Sequence, residues 1–296
     1  MNERGAIVQL IEEVFDSLET NSFRALGRPS EPMWDRPLVG IAAGEDAYYE
    51  FLKTHIGAFH WTPREVFRQK YGDSGAALSV VAVVFPQTCA TKEMQRAAEV
   101  FPCDNWLIAR REWGAVNGEF CQKLMDALAE QGIRSACPDL LEDMSRMRSE
   151  RVGIASTWSH RHTAYAAGLG TFGLSDGLIT ERGIAVRLTS VVVEAELPAD
   201  GRVSEDPYGW CSRCGACIRR CPAGAIRLEG GHDKEKCAAY KDYCIKNLWP
   251  AHIERKGYIL GCGLCQAGIP CTDHPPKQTA AMADNYGEEN YGLQRI

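Results

Sequence analysis

The chain lacks long apolar runs and carries no excess of positive charge. Its longest nearly continuous apolar stretch, residues 76–85, is well short of the roughly 18 residues that a membrane-spanning helix needs. With 33 Lys and Arg against 39 Asp and Glu, the net charge is −6, whereas nonspecific nucleic-acid binding requires a basic face. We therefore expect no membrane association, and we do not expect nucleic acid to be a partner.

Several motifs and leader sequences are also missing. The chain contains no P-loop, no C-x₃-C-x₂-C motif of radical enzymes, and no signal peptide or twin-arginine leader. We therefore expect a cytoplasmic protein. Cysteine, in contrast, is abundant, and nine of the 13 cysteines fall in the last third of the chain. That clustering is not typical of a disulfide scaffold, and an oxygen-sensitive ligand set suits a reducing, anaerobic setting.

The densest cysteine pattern lies at residues 211–222 and reads C-x₂-C-x₂-C-x₃-C-P. Bacterial ferredoxins bind [4Fe–4S] clusters with this spacing, in which the fourth cysteine is a ligand of the other cluster. A zinc site, the alternative, usually combines one C-x₂₋₄-C pair with a distant second pair. The pattern therefore predicts an iron–sulfur domain with two clusters.

Two clusters need eight thiolates, which can be found by counting the cysteines that follow. The simplest assignment gives the first cluster the ligands Cys211, Cys214, Cys217 and Cys271. The second cluster then takes Cys221, Cys262, Cys265 and one further cysteine. Counting leaves open whether that ligand is Cys237 or Cys244, and one cysteine remains over.

Hydrophobic periodicity predicts helices and strands in the first two thirds of the chain. Apolar residues at helical spacing predict helices over residues 1–20 and 112–131. Runs of β-branched residues predict strands over residues 78–85 and 184–197. The segment 62–65, Thr-Pro-Arg-Glu, has the sequence of a capping box at the start of a short helix.

A segment containing Pro and Gly at residues 197–201 is the best candidate for a domain boundary. We therefore divide the chain into an α/β domain at residues 1–200, a ferredoxin-like domain at 201–285 and a tail at 286–296.

The most basic stretch of the sequence is residues 144–162, which contains four arginines and two histidines. One interpretation is the solvated face of a helix, and the other is recognition of an anionic group. The sequence alone leaves both interpretations open.

A glycine motif, G-x-G-x-x-G, follows at residues 168–173. It closes a predicted helix instead of following a strand, so it does not predict a Rossmann dinucleotide site. Its glycines would still let a flat ligand approach the backbone closely.

Together with the ferredoxin run, three segments carry a family resemblance: Ala-Gly-Leu-Gly at 167–170, Glu-Leu-Pro at 196–198, and Gly-Cys-x-x-Cys-Gln at 261–266. Over residues 150–271 the chain resembles epoxyqueuosine reductase and the related catalytic core of reductive dehalogenases. The resemblance implies an α+β protein. Its N-terminal α/β domain, nitroreductase-like and of the cobalamin-binding type, would precede a two-cluster bacterial ferredoxin-like domain.

The resemblance also implies roles for particular residues. It makes Cys237, and not Cys244, the remaining ligand of the second cluster. The corrin ring would lie near a loop containing Gly168, Leu169, Gly170 and Gly173. Candidate proton donors close to that loop are Tyr165, His160 and His162. At the position of the family's catalytic aspartate this chain has Ile154, so we do not expect epoxyqueuosine as its substrate.

These observations predict an iron–sulfur oxidoreductase. Electrons from an external donor such as ferredoxin or flavodoxin would pass through two [4Fe–4S] clusters to a cobalamin, which reduces a small-molecule substrate. The alternative is a two-cluster electron-transfer protein with neither a corrinoid nor a substrate of its own.

Overall fold

The computed structural model describes residues 3–229, 231–244 and 261–277. The predicted tail at 286–296 lies outside them. The α-helices are α1 (Glu3–Asp16), α2 (Ala47–His55), α3 (Pro63–Tyr71), α4 (Cys89–Arg96), α5 (Asp104–Glu130), α6 (His160–Ala166), α7 (Ala216–Arg220) and α8 (Lys234–Tyr243). The strands are β1 (Leu38–Ala43), β2 (Ser79–Pro86), β3 (Ser135–Ala136), β4 (Arg146–Ser149), β5 (Gly153–Ser156), β6 (Thr171–Phe172), β7 (Leu178–Ile179), β8 (Val186–Val193), β9 (Ile226–Arg227) and β10 (Gly231–His232). Short 3₁₀ helices lie at Arg24–Leu26, Pro138–Leu140 and Leu264–Gln266.

A central sheet has the strand order β1–β2–β8–β3, and each neighbouring pair is antiparallel. β2 and β8 pair along their whole length, from Ser79 opposite Val193 to Pro86 opposite Val186. All eight residues of β2 are buried, because helices cover both faces of the sheet. This is why the strand reads as a continuous apolar run and not as an alternation.

Successive residues of β2 enter two separate cores. Val81, Val83 and Phe85 pack with residues of α1 and α5 on one face. Val80, Ala82 and Val84 pack with residues of α2, α3 and α6 on the other. The N-terminal part of the protein is therefore a three-layer α/β/α arrangement around an antiparallel sheet.

The long elements predicted from the sequence are confirmed, with shifted bounds. α1, β2, β8 and α5 correspond to the predicted helices and strands, but α5 begins at Asp104 and not at residue 112. Its first turns are buried on all sides from Asn105 to Ala109, so the one-sided apolar pattern that marks a surface helix is absent there. The capping box is confirmed: Thr62 N donates to Glu65 Oε2 at 2.8 Å, and the Thr62 side chain accepts from Glu65 N.

The segment expected to be a domain boundary is held tightly to the sheet. Asp200 N donates to the carbonyl of Ile41, its carboxylate accepts from Ile41 N, and Arg4 forms an ion pair with the same carboxylate at 2.7 Å. Beyond it, Ile184 N donates to the carbonyl of Cys271 at 2.8 Å. The cysteine-rich part therefore packs directly on loops of the N-terminal part.

The described helices also bear on the membrane question. None of them combines the length and the apolar character required to span a membrane.

Candidate functional site

Four cysteines line a small cavity between the ferredoxin run and the loops after β6 and β7. The cavity measures about 20 Å³, and Gly173, Ile179 and Ile184 form its apolar wall. Its cysteines are Cys211, Cys214, Cys217 and Cys271. These are the four side chains that the sequence assigns to the first cluster.

The backbone of the run turns tightly around this cavity. Arg213 and Gly215 both have positive φ, 50° and 69°, so the chain reverses twice within five residues. Glycine adopts this conformation without strain, whereas arginine does so at a cost. The turns bring Cys211, Cys214 and Cys217 to one side, and the 2.8 Å bond from Ile184 N to Cys271 O adds the fourth cysteine from a distant loop.

A second cavity, of about 220 Å³, lies on the other side of α7. Four more cysteines line it: Cys221, Cys237, Cys262 and Cys265. Its wall also contains several cations, Arg161, Arg187, His232, Lys234 and Lys241, together with Asp176. The cavity is therefore strongly basic apart from its thiols.

The cysteine pair of the second cavity is anchored by the N-terminal part. Gln95 Nε2, on α4, donates to the carbonyl of Cys262 at 2.8 Å, and Gln95 Oε1 accepts from Cys103 N at 2.9 Å. Gly263 has φ of 62° and packs against the buried ring of Trp106 on α5. Neither contact can be inferred from the cysteine spacing.

The short helix α7 connects the two cavities. Cys217, on α7, lines the first cavity, and Cys221, which caps the helix, lines the second. Cys217 also contributes to raising the pKa of the Cys265 thiol, so the two sets of sulfurs lie within electrostatic range. Cofactors held by the two sets would be neighbours.

Burial makes most of these thiols poor acids on their own. Burial first, and neighbouring thiols second, raise the pKa of Cys217 and of Cys271 to about 12 and that of Cys262 to about 11. A buried set of thiolates is therefore stable only with a positively charged centre, which is what an iron–sulfur cluster supplies. Among the described residues, no three His, Cys, Asp or Glu side chains converge closely enough for a single metal ion. Four cysteine thiolates are the donor set that a [4Fe–4S] cluster takes.

Cys237 and Cys244 differ in their surroundings. Hydrogen bonding to His232 lowers the pKa of Cys237, and the imidazole also contacts Asp176 at 3.5 Å. Cys244 is buried, 5% exposed, and does not line the second cavity. The choice of Cys237 as ligand stays a prediction, and this placement supports it.

The three candidate proton donors occupy different environments. The Tyr165 hydroxyl donates to the carbonyls of Ser204 and Glu205 at 3.0 and 3.2 Å. His162 packs between aromatic rings, and burial lowers its pKa. His160 contacts Asp139 Oδ2 with Nε2 at 3.0 Å and Ser190 Oγ with Nδ1 at 2.9 Å. The sequence had not singled out Asp139, and no motif surrounds it.

The glycine loop packs against the chain itself. A Cβ at Gly168 would lie 2.2 Å from the carbonyl oxygen of Gly201, and one at Gly170 would lie 2.0 Å from that of Ile179. Leu169 packs on the apolar core, and Gly173 lines the first cavity. These contacts account for the glycines without a bound ligand, so their part in corrinoid binding stays a prediction.

Comparison with known proteins agrees with the cysteine geometry. Residues 210–270 match the family described as "4Fe-4S double cluster binding domain". The epoxyqueuosine reductase of Gloeobacter violaceus is 35% identical over 114 residues, 36% of this chain and 34% of the relative. That of Bacillus anthracis is 31% identical over 201 residues, 67% of this chain and 48% of the relative. The chain thus spans a third to a half of the curated relatives that it matches, and the resemblance to epoxyqueuosine reductase is confirmed.

Solved structures show the same fold. A catabolic reductive dehalogenase superposes with a TM-score of 0.50 at 17% identity, over 81% of this chain and 30% of the other. An epoxyqueuosine reductase with an epoxyqueuosine-modified tRNA-Tyr stem loop superposes with a TM-score of 0.50 at 19% identity, over 93% and 69%. This last complex corrects the expectation that nucleic acid is not a partner. Net charge was a poor guide, because it averages over the whole chain and says nothing about a local RNA-binding surface.

Proposed function

We propose that the chain is an iron–sulfur reductase with two [4Fe–4S] clusters, each held by the four cysteines of one cavity. The observation that carries the proposal is the division of eight cysteines into two sets of four on either side of α7. The first ligand set is Cys211, Cys214, Cys217 and Cys271. The second ligand set is Cys221, Cys237, Cys262 and Cys265.

Each cluster exchanges one electron at a time, so together they can deliver the two electrons that a substrate reduction consumes. The chain's own contribution is to hold the two sets of sulfurs next to each other. Cys217 and Cys265 interact electrostatically across α7. An external donor such as ferredoxin or flavodoxin supplies the electrons.

The names of the relatives favour reductive cleavage of a bond between carbon and a heteroatom. An organohalide R–X takes up two electrons and one proton and gives R–H and X⁻, whereas removal of an epoxide oxygen takes two electrons and two protons and gives an alkene and water. Among the three predicted proton donors we retain His160, because its Nε2 contacts a carboxylate oxygen of Asp139 at 3.0 Å. Its Nδ1 contacts Ser190 Oγ at 2.9 Å, so the ring must give up one of these contacts to protonate a substrate. Asp139 then acts as a positioning residue that holds the imidazole ring of His160 in one orientation.

Cobalamin belongs to this proposal on the strength of the family resemblance alone. The glycines of the loop at residues 168–170 abut the carbonyls of Gly201 and Ile179 on the side where a Cβ would stand. That packing accounts for the glycines without a bound ring, and the cavity of about 220 Å³ lined by the second cysteine set is small for such a macrocycle. The described residues therefore add no support of their own for a corrin site.

A tRNA carrying epoxyqueuosine is a second candidate substrate, beside a small molecule. It is favoured by the curated relatives and by the fold neighbour solved with a modified tRNA stem loop. Against it stands Ile154, whose carbonyl accepts a hydrogen bond from Lys234 Nζ at 3.0 Å and whose side chain has no proton to donate.

The first experiment measures metal content and cobalamin binding on the same protein. Protein reconstituted anaerobically should contain about eight iron atoms per chain. Four iron atoms, or zinc as the native metal, would contradict the two-cluster assignment. Cobalamin binding under reducing conditions is then followed by calorimetry and absorption spectroscopy.

The alternative, a two-cluster electron-transfer protein, makes a different prediction in the same experiment. It contains eight irons but binds no cobalamin, and it turns over neither an organohalide or epoxide nor modified tRNA. The tRNA candidate is tested by anaerobic incubation of the protein with epoxyqueuosine-containing tRNA, reduced donor and cobalamin. Mass spectrometry of the nucleosides then shows whether epoxyqueuosine has been reduced.

A further inference from the structure

The second cysteine-lined cavity is larger than the first, although each has four thiols. The first measures about 20 Å³ and the second about 220 Å³. If the two clusters are the same size, the second cavity contains space that its cluster does not need. That surplus extends towards Arg161 and Arg187, on α6 and β8.

Arg187 is the most unusual side chain in this wall. Its Nε is fully buried and has no hydrogen-bond partner among the described residues. Its one recorded bond is a long 3.5 Å contact to the carbonyl of Val186. Burial first, and then the charges of Arg110 and Arg161, lower its pKa to about 9. Arg187 as a whole is partly exposed, but its Nε is buried and is held among other cations.

Arg110 and Arg161 complete the arginine group. Arg110, on α5, is partly buried, and its side chain lies beside Gly261 at the rim of the second cavity. Burial and the neighbouring arginines lower its pKa. Among the described residues, neither Arg110 nor Arg161 has a recorded carboxylate partner.

Several arginines elsewhere among the described residues do have carboxylate partners. Arg64, Arg134 and Arg202, for example, each form an ion pair with a carboxylate. A buried guanidinium without a partner is costly, because desolvation removes its interaction with water and nothing replaces it. Only the Arg187 Nε carries this cost, while Arg110 is half-buried and Arg161 is exposed beside it. An anion in the adjoining cavity would explain why the three arginines lie together.

The second cluster is a competing counter-ion, because its thiolates lie in the same cavity. Among the described residues, however, no recorded hydrogen bond joins Arg110, Arg161 or Arg187 to one of these cysteines. After burial, the charge of Arg110 is the largest influence on Arg187. Asp176 is partly satisfied by His232 at 3.5 Å, so it is also a poor counter-ion for them.

We propose that the surplus volume of the second cavity is a binding site for an oxyanion, a phosphate or carboxylate group held by Arg110, Arg161 and Arg187. The planar guanidinium matches such groups with two parallel hydrogen bonds. This goes beyond the proposed function, because binding requires neither a corrinoid nor electron transfer. The proposal also favours one interpretation of the basic stretch at residues 144–162. Because Arg161 lies in that stretch, its role would be to recognise an anionic group and not only to form a solvated helix face.

The test uses the anaerobically reconstituted protein with both clusters, in a buffer free of phosphate and sulfate. Titration with inorganic phosphate, measured by calorimetry, should show saturable binding to one site. Arg187→Met should weaken it by about ten- to a hundredfold, the contribution of a hydrogen bond to a charged group. The same variant should have a higher Tm than the parent without phosphate, because a buried unpaired charge is removed.

A matched control is Arg148→Gln, which removes one positive charge from an exposed arginine paired with Glu235. Its phosphate affinity should stay within about twofold of the parent, since such exposed pairs contribute little. Arg161→Gln should weaken binding as Arg187→Met does, which guards against a folding defect in a single variant. Iron content must be equal in all variants compared.

Two results would overturn the proposal. One is unchanged phosphate affinity in both Arg187→Met and Arg161→Gln. The other is the absence of saturable phosphate binding to the parent. If the arginine variants then also show a lower reduction potential of one cluster, the cluster itself is the counter-ion.

Competition against bound phosphate identifies the kind of molecule that carries the oxyanion. Cobalamin carries a phosphodiester in its nucleotide loop, and cobinamide lacks it. Displacement of phosphate by cobalamin but not by cobinamide would support the site with a corrinoid as the source. Phosphate binding that neither compound affects would support the site with the substrate as the source.

Discussion

The side-chain amide of Gln95 joins two parts of the chain that are 167 residues apart, because it donates to the carbonyl of Cys262 at 2.8 Å. Gln95 is fully buried, and its Oε1 also accepts from Cys103 N. Gln95→Leu would remove the partner of the Cys262 carbonyl and of the Cys103 amide, both of which are partly buried. We expect a loss of about 2–4 kcal/mol in unfolding free energy and loss of the cluster bound by Cys262.

Chemical denaturation and iron analysis of the Gln95→Leu protein check this prediction. Gln122→Leu, on the exposed face of α5 where the side chain contacts only Asp126, is the control and should change neither quantity measurably. Equal iron content in the two variants would show that the hydrogen bond does not position Cys262.

Gly263 tests the packing of the cysteine pair on α5. Its φ is 62°, and a Cβ there would lie 2.0 Å from Cε2 of Trp106. Gly263→Ala should therefore cost at least about 2 kcal/mol from strain and overlap and reduce the iron content towards four atoms. Gly118→Ala, in an open position of α5, should instead stabilise the protein by about 1 kcal/mol. Thermal unfolding that shifts in the same direction for both variants would contradict the expected contact.

Substitution of Cys237 and of Cys244 shows which of the two is a cluster ligand. Cys237→Ser should remove one cluster or exchange its ligand, because Cys237 lines the second cavity. Cys244→Ser should leave both clusters intact. Electron paramagnetic resonance of the reduced proteins and iron analysis provide the measurement, and the reverse pattern would identify Cys244 as the ligand.

His60 predicts a dependence of stability on pH. Burial lowers its pKa to about 4 in the folded protein, against about 6.5 in the unfolded chain. The unfolded state therefore binds the proton more readily, so stability is full above pH 6.5 and is lost as the pH falls towards 4. Between pH 7.5 and 5.5 the expected loss from this residue is about 1 kcal/mol.

His60→Phe should reduce that loss, because phenylalanine does not titrate and keeps a ring against Trp158. Denaturant unfolding at the two pH values provides the comparison. His274→Phe, at an exposed position, serves as the control and should retain the parent's pH dependence. Identical pH dependence in all three proteins would mean that His60 is not held neutral by burial.

The sequence predicted those features that depend on neighbouring residues. The capping box at Thr62 and Glu65 is complete within four residues, and the ferredoxin run defines its own loop. A continuous apolar run located β2, since both of its faces are covered. The counting of cysteines gave seven of the eight side chains that line the two cavities, and the family resemblance selected Cys237 as the eighth.

Features built from distant segments could not be predicted in this way. Arg110, Arg161 and Arg187 lie on α5, α6 and β8, and nothing in their local sequence shows that they converge. The pairing of His160 with Asp139 likewise depends on a 3₁₀ turn against a helix. The contacts of Gly168 and Gly170 with the carbonyls of Gly201 and Ile179 likewise join distant segments, so the local sequence cannot show them.

The five-residue helix α7 has a further consequence for electron flow. Because Cys217 and Cys221 are four residues apart on one rigid turn, the spacing between the two redox centres is fixed by covalent geometry. Movements of the N-terminal layers during substrate entry would leave that spacing unchanged. The tunnelling rate between the centres should therefore be the same with and without bound substrate. The rate of electron delivery from the second centre onwards can, in contrast, change when substrate binds.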